Sequence, residues 1–316
     1  MAESSRLHYP PSECEVIPDS EEVLRILCDE FKDLLEELQE QKNLKNKSHV
    51  QNFFREEFDK SVEDFLEVKK VKVLMNLSNS VCQIRTSEGS ARGTGFLLFN
   101  RFILTNAHVI GFGNSKVFNP AEFTAVFGYE DLDQNGTKHV PIKHLKFSFH
   151  GKDEKGNHLD YALLELNSAD EISGCPELLH HYKNNSPNNK SQICIVGHPG
   201  TGVKKMETCF VIGKENRQEA QFIHIMRLQN VKEEWDENQI TYDSCFFHGS
   251  SGSPVFDVDC KLIGIHTGGY VYKGEGGKTR SVMEYAYAMQ PTLDYIKAQA
   301  RIKGHIDLLH QLRNHT

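Results

Sequence analysis

The sequence predicts a mainly β protein: a β-barrel or pair of barrels, preceded by a helical arm and closed by a C-terminal helix. Three observations carry that expectation. From about Val81 the chain breaks into about nine to twelve short apolar runs, punctuated by Gly, Asn and Pro, over roughly 210 residues. Before that point the apolar residues recur at helical spacing, and helical spacing returns after Pro291.

The 316 residues with 38% hydrophobic content are enough to bury a substantial core. Lys and Arg number 36 against 44 Asp and Glu, a net charge of −8, so the molecule as a whole offers no general attraction to nucleic acid or anionic lipid. The start "MAESSRLHYPPSECEVIPDSEE" lacks an apolar run of signal-peptide length, and no later stretch is as long and apolar as a spanning helix. These features predict an intracellular soluble protein. The 8 cysteines show no CxxC pair and no zinc-module spacing, so they are expected to be reduced thiols, with no metal and no cofactor.

Residues 1–18 are rich in Pro and Ser and are expected to be loose. "DSEEVLRILCDEFKDLLEELQEQ" then opens with an Asp/Ser cap and acids in its first turn. Val23, Leu24, Leu27, Phe31, Leu34, Leu35 and Leu38 follow at helical spacing. A Lys/Asn linker at 42–48 separates it from "VQNFFREEFDKSVEDFLEVKKVKVLMNL", a second helical stretch. Residues 1–75 are therefore assigned to a loose N-terminus and helical arm, and 76–316 to the β domain with its closing helix. The apolar stripe of the arm suits either packing on the barrels or a homodimer or partner interface.

The strands follow in order: "SVCQIRT", "GTGFLLFNRFILTNAHVI", "FTAVFGY", "HVPIKHLKFSF", "LDYALLEL", "SQICIVGHPG", "QFIHIMRL", "SPVFDVDCKLIGIHTGG" and "EYAYAMQ". The closing helix is "PTLDYIKAQARIKGHIDLLHQLR", with Pro291 in its first turn.

Three of these segments carry residues suited to nucleophilic acyl transfer. That reaction needs a hydroxyl, a base to take its proton, a carboxylate to orient the base, and N–H donors where the oxyanion forms. In "FFHGSSGSPVF", Ser251 lies between Gly249 and Gly252, so the chain can turn sharply and aim the N–H groups of Gly249 and Ser251 at one oxygen. "LTNAHVI" sets His108 at a strand end, and "LDYALLEL" sets Asp160 at the mouth of an alternating apolar strand. Each alone has an ordinary structural explanation. All three at strand ends, in the order His, Asp, Ser, form a far more specific pattern.

"GTGFLL…FILTNAHVI", "LDYALLEL" and "GSSGSPVF…LIGIHTGG" resemble the segments around the three catalytic residues of trypsin-like (chymotrypsin-fold) serine proteases. "VQNFFREEF", "AVFGYE" and "ITYD" narrow the resemblance to the proteases of the family with sequence similarity 111, over roughly residues 45–300. The resemblance implies two six-stranded β-barrels, His108 as general base, Asp160 as its orienting partner, Ser251 as nucleophile, and the Gly249 and Ser251 amides as oxyanion hole. It also implies protein substrates, a nuclear or cytoplasmic setting and self-assembly. Digestive members carry Asp before the nucleophile, to pair with a terminus freed by zymogen cleavage. Here that position is Ser250, so the oxyanion loop must be ordered by packing, by substrate or by assembly.

By the same resemblance, the residue six before the nucleophile floors the specificity pocket, and that is Cys245. His266, Thr267 and Gly268 form its walls. An uncharged floor and glycine walls predict a bulky apolar or aromatic residue before the scissile bond, with a broad preference.

Other motifs take plainer readings. "VGHPGTGVKK" lacks the Lys that a phosphate loop places after its glycine, so it is expected to be a strand and turn. His180, His181 and the C-terminal histidines have no metal-ligand spacing, and "KNNSPNNK" is expected to be a solvated loop. The leading expectation is a serine endopeptidase. The alternative is a catalytically silent peptide-binding module on the same fold. A nucleic-acid binder is disfavoured because the residues before the barrels show no basic groove interleaved with aromatics.

Overall fold

The computed structural model describes residues 66–111, 119–214, 238–244, 246, 248–273 and 279–313. The helical arm through residue 65, the segment "QFIHIMRL", Cys14, Cys28 and Cys245 lie outside the described residues. Contacts divide the chain into two units at Phe65/Leu66, and the second holds every element below.

The elements are α1 (Val68–Ser78), β1 (Val81–Thr86), β2 (Ala91–Phe99), β3 (Phe102–Thr105), β4 (Phe123–Phe127), β5 (Lys138–Lys152) and β6 (His158–Leu166). They continue with β7 (Gln192–Gly197), β8 (Lys205–Phe210), β9 (Gln239–Tyr242), β10 (Pro254–Phe256), β11 (Leu262–Lys273), β12 (Thr279–Ala288), α2 (Met289–Ile302) and α3 (Ile306–Arg313). The first six strands close into an antiparallel barrel in the order β1-β2-β3-β6-β5-β4. The other six form an antiparallel sheet in the order β8-β7-β10-β11-β12-β9. Its two edge strands meet through the Val211–Tyr242 bridge and through the paired hydrogen bonds of Ile212 and Thr241, giving a second barrel-like body. The expected architecture of two six-stranded β units is present.

Burial follows from the alternation. Within the first barrel, Cys82, Ile84, Leu97, Ile103 and Leu164 form one cluster, and within the second Ile193, Ile195, Tyr242, Val255 and Ile263 form another. A third cluster lies where the two six-stranded bodies meet, fed by Phe96, Leu104, Val196 and Ile265 and covered by Leu77, Leu293 and Ile296 of the helices. β6 is therefore buried along almost its whole length, on both faces. Its sequence reads as a near-continuous apolar run for that reason.

The closing helix is two helices. α2 stops at Lys303, and His305 donates its N–H back to the Ala300 carbonyl at 2.8 Å, ending the helix before α3 begins. β8 and β9 escape the sequence reading. β8, "KMETCF", is a largely exposed edge strand with a single buried side chain, and β9 is only four residues long.

The α1 contribution is testable. Leu77 is fully buried and Met75 is 61% exposed. Leu77→Ala is expected to destabilise the protein by about 2–5 kcal/mol and Met75→Ala by less than about 0.5 kcal/mol. Chemical denaturation of the two variants checks this. Equal effects would mean that α1 does not belong to the barrel core.

Candidate active site

Asp160 is the third residue of β6, and its side chain is only 3% exposed. Burial of a carboxylate is unfavourable unless it accepts hydrogen bonds. Here Oδ1 accepts from the N–H groups of Ala107 (2.7 Å) and His108 (3.2 Å), and Oδ2 faces His108 Nδ1 at 2.5 Å. His108 begins a short 3-10 turn just after β3, so strand, turn and carboxylate fix the ring together. An Nδ1–H shared with Asp160 leaves the Nε2 lone pair on the exposed side of the imidazole, whose side chain is 40% accessible.

Ser251 is linked to that pair through two intermediates. Its hydroxyl donates to the Thr267 carbonyl at 3.3 Å. Asn106 Nδ2 donates to Thr267 Oγ1 at 3.2 Å and to the Asp160 carbonyl at 2.7 Å. Thr267 is skipped in the β11–β12 register between His266 and Gly268, so a bulge offers its carbonyl to Ser251 instead of to the sheet. The side chain of Val109 and the main-chain oxygen of Ser251 both close on the same side of Gly93. The structure thus brings His108 and Asp160 into direct contact and Ser251 to the same junction. Among the described residues no hydrogen bond joins Ser251 to His108.

The turn bearing Ser251 is shaped by two glycines. Gly249 has φ +93° and Gly252 φ +91°, and a Cβ at Gly252 would lie 2.0 Å from the Thr94 carbonyl oxygen. The His248, Gly249, Ser250 and Ser251 carbonyls all accept hydrogen bonds, from Gly200 N, Thr94 Oγ1, Ser253 (N and Oγ) and Thr94 N respectively. The N–H groups of Gly249 and Ser251 make no hydrogen bond to any described residue. Ser250 is fully buried, and its hydroxyl has no partner among the described residues.

The expected pocket residues are only partly described. Cys245 lies outside the described residues. His266 does not present its ring to a cleft: it is 2% exposed and its Nδ1 meets the Tyr242 hydroxyl at 2.6 Å. Thr267 turns its hydroxyl to the Ile265 carbonyl. Gly268 and Gly269 lie against side chains of β12. A Cβ at Gly268 would lie 3.3 Å from the Tyr285 hydroxyl, and one at Gly269 would lie 2.0 Å from the buried Glu284 carboxylate. Glu284 reaches Gly269 because β12 pairs the two positions directly. Its place in "VMEYAYA" gives no sign of that, since cross-strand register is not written in a single strand.

A cavity of about 320 Å³ lies elsewhere, lined by Tyr182, Asn184, Asn189, Val211, Gln239 and Ile263 among others. It contains none of His108, Asp160 and Ser251. No cluster of three or more metal-ligating side chains occurs among the described residues.

An imidazole oriented by a buried carboxylate, a hydroxyl on a tight turn and two amides with no partner among the described residues can together support attack on a carbonyl and stabilise the resulting oxyanion. Fold and site define the class as a trypsin-like peptidase domain. The family of that description matches residues 93–265, more than half of the chain, and the protein belongs to it.

Within the class, the chain is 28% identical over 282 residues to the serine protease FAM111A of Mus musculus, covering 80% of this chain and 44% of that protein. It is 26% identical over 268 residues to the serine protease FAM111B of Homo sapiens, covering 78% and 36%. The chain thus spans less than half the length of these curated relatives. A crystal structure of the Rv3671c protease of M. tuberculosis in its active form is similar over 71% of this chain and 82% of that one, at 16% identity and a TM-score of 0.46.

Two buried histidines flank the site. Burial holds His198 down at about 3, helped by the nearby Lys204 and Arg85 charges and partly opposed by its bond to the Gly202 carbonyl. Burial, with His108 beside it, holds His266 at about 3 as well, against an ordinary 6.5. Above pH 6.5 both are neutral whether folded or unfolded. As the pH falls from 6.5 toward 3, only the unfolded chain takes up the protons, so stability drains away through that window. At pH 5.5 the loss is on the order of 1 kcal/mol for each histidine. Urea unfolding at pH 7.5 and 5.5 is expected to show it, and His266→Gln should shrink the difference. A difference unchanged by His266→Gln would place the acid sensitivity elsewhere.

Proposed function

We propose that this protein is a serine endopeptidase that cleaves peptide bonds through an acyl-enzyme. His108 takes the proton of Ser251, Asp160 holds the ring in the Nδ1–H tautomer, and the Gly249 and Ser251 amides receive the oxyanion. The observation that carries the reading is the 2.5 Å contact between His108 Nδ1 and a carboxylate sealed from water, joined through Asn106 and Thr267 to a hydroxyl beside two unengaged amides. Catalysis requires that hydroxyl to leave the Thr267 carbonyl for the imidazole, a side-chain rotation of the kind that substrate binding completes in such sites.

A fluorophosphonate probe is expected to label the wild type and not Ser251→Ala. Asp160→Asn should lower kcat by about 10⁴-fold, since an amide no longer selects the reactive tautomer. The Ser251–Thr267 bond favours a second reading, a peptide-binding module without turnover. An unlabelled wild type that still binds peptide would establish that alternative.

For the residue before the scissile bond we propose a bulky apolar or aromatic side chain, as the uncharged Cys245 at the expected pocket floor implies. Peptides ending in Phe, Leu or Lys before the bond, compared side by side, test it, with Phe or Leu expected to have the higher kcat/KM. The Glu284 carboxylate marks the opposite outcome. A Lys preference that disappears in Glu284→Gln would overturn the apolar reading and assign specificity to that acid.

The proposal extends to protein substrates, to self-association through the N-terminal helices and to a nuclear or cytoplasmic setting. Cys82, Cys175, Cys194 and Cys260 are free thiols, which supports a reducing environment.

A further inference from the structure

The Ser250 position carries no carboxylate, so something else must hold the oxyanion loop in its working shape. In a planar peptide the C=O and the following N–H point in opposite directions. Whatever fixes the His248 carbonyl therefore fixes the direction of the Gly249 N–H.

That carbonyl is held by Gly200 N–H at 2.6 Å. Gly200 belongs to the turn 198–202, which follows β7 and has two successive left-handed residues, Gly200 at φ +62° and Thr201 at φ +58°. A β-branched residue in that region is strained. The turn is kept there by contacts from the first barrel. Gln83 Nε2 donates to the Thr201 and Gly202 carbonyls at 3.0 and 3.2 Å, and Arg85 Nε donates to Gln83 Oε1. The turn also lies directly on the loop: a Cβ at Gly249 would come within 2.5 Å of both the His198 carbonyl and the Thr201 amide nitrogen.

Thr94 of β2 joins turn to loop. It is fully buried. Its hydroxyl accepts from His198 N–H at 3.0 Å and donates to the Gly249 carbonyl at 2.7 Å, while its own N–H donates to the Ser251 carbonyl at 2.8 Å.

We propose that Thr94 is a positioning residue whose hydroxyl clamps the 198–202 turn against the oxyanion loop, so that the Gly200 amide keeps the 248–249 peptide oriented with the Gly249 N–H toward the oxyanion. The clamp ties the loop on the second barrel to the first barrel, and it does so without a freed terminus. It rests on the endopeptidase reading above for its consequence in catalysis, but not for its effect on loop order.

The test uses the full chain with Thr94→Val, which keeps the shape and loses the hydroxyl, and Thr94→Ser, which restores it. Thr94→Val is expected to lower kcat about 10- to 100-fold with KM changed less than about threefold, the pattern of a contact that matters only in the transition state. Affinity for a peptidyl trifluoromethyl ketone, which places an oxyanion in the hole, should fall in step with kcat, while affinity for a product peptide stays. Thr94→Ser should stay within about threefold of the wild type. Gln83→Leu, which unpins the turn without touching the loop, should show the same pattern more weakly and serves where Thr94→Val does not fold. Hydrogen exchange should quicken across 246–253 in Thr94→Val and recover in Thr94→Ser. Equal losses in the Val and Ser variants, a loss confined to KM, or unchanged exchange across that segment would overturn the clamp. An inert wild type whose exchange still responds to Thr94→Val would instead sink the endopeptidase reading and leave the clamp standing.

Discussion

The site depends on one buried carboxylate. Asp160 is enclosed by β6 and the turn after β3, where an unpaired charge would be costly, and three donors from residues 107 and 108 answer that cost. Two of the three are main-chain amides, so the carboxylate fixes the backbone at the end of β3 as well as the ring. Removing it would disturb the turn that carries His108 together with the tautomer. Stability and chemistry are therefore coupled at this residue.

The opposite side of the site solves a different problem. Oxyanion amides must stay unengaged while the peptides that contain them remain fixed. The loop achieves this by committing its carbonyls. His248, Gly249, Ser250 and Ser251 each give the carbonyl to a donor behind the loop, and the amides at 249 and 251 are left facing away from those donors. Gly252 has no room for a side chain because the Thr94 carbonyl presses against it. The glycines in "GSSGSP" thus serve close approach between barrels as much as turning.

Much of this was legible in the sequence because the relevant signals are local. β6 reads as a strand from "LDYALLEL" alone, and the Gly-Ser-Ser-Gly run announces a tight turn without reference to anything distant. His108, Asp160 and Ser251 could be picked out because each sits at the end of a strongly patterned strand. What the sequence concealed depends on register. Glu284 reaches Gly269 only through the β11–β12 pairing, and His266 looks like a cleft residue until Tyr242, on a strand too short to recognise, is placed beside it. Thr94 and Gly200 fall in segments readable as strand and turn, but nothing local says that they meet at Gly249. The break between α2 and α3 falls at Gly304, whose φ of +70° and the His305 capping bond end α2, and it was passed over because the apolar spacing continues across that glycine.

Ser250 shows how the two halves of the site relate. A carboxylate at that position needs a cation delivered to it before the loop takes shape, whereas the buried Ser250 carries no charge for a cation to answer. The loop's order then has to come from neighbours already in place, and those neighbours are divided between the barrels: Thr94 on the first, the 198–202 turn on the second. Any motion that slid one barrel on the other would strain the Thr94 bonds to Gly249, Ser251 and His198 at once. It would also strain the Asn106–Thr267 contact that joins the His108–Asp160 pair to the bulge holding Ser251. The same interface therefore sets the hydroxyl, the base and the oxyanion amides in register, and the integrity of the seam between the barrels becomes the physical variable on which the proposed chemistry turns.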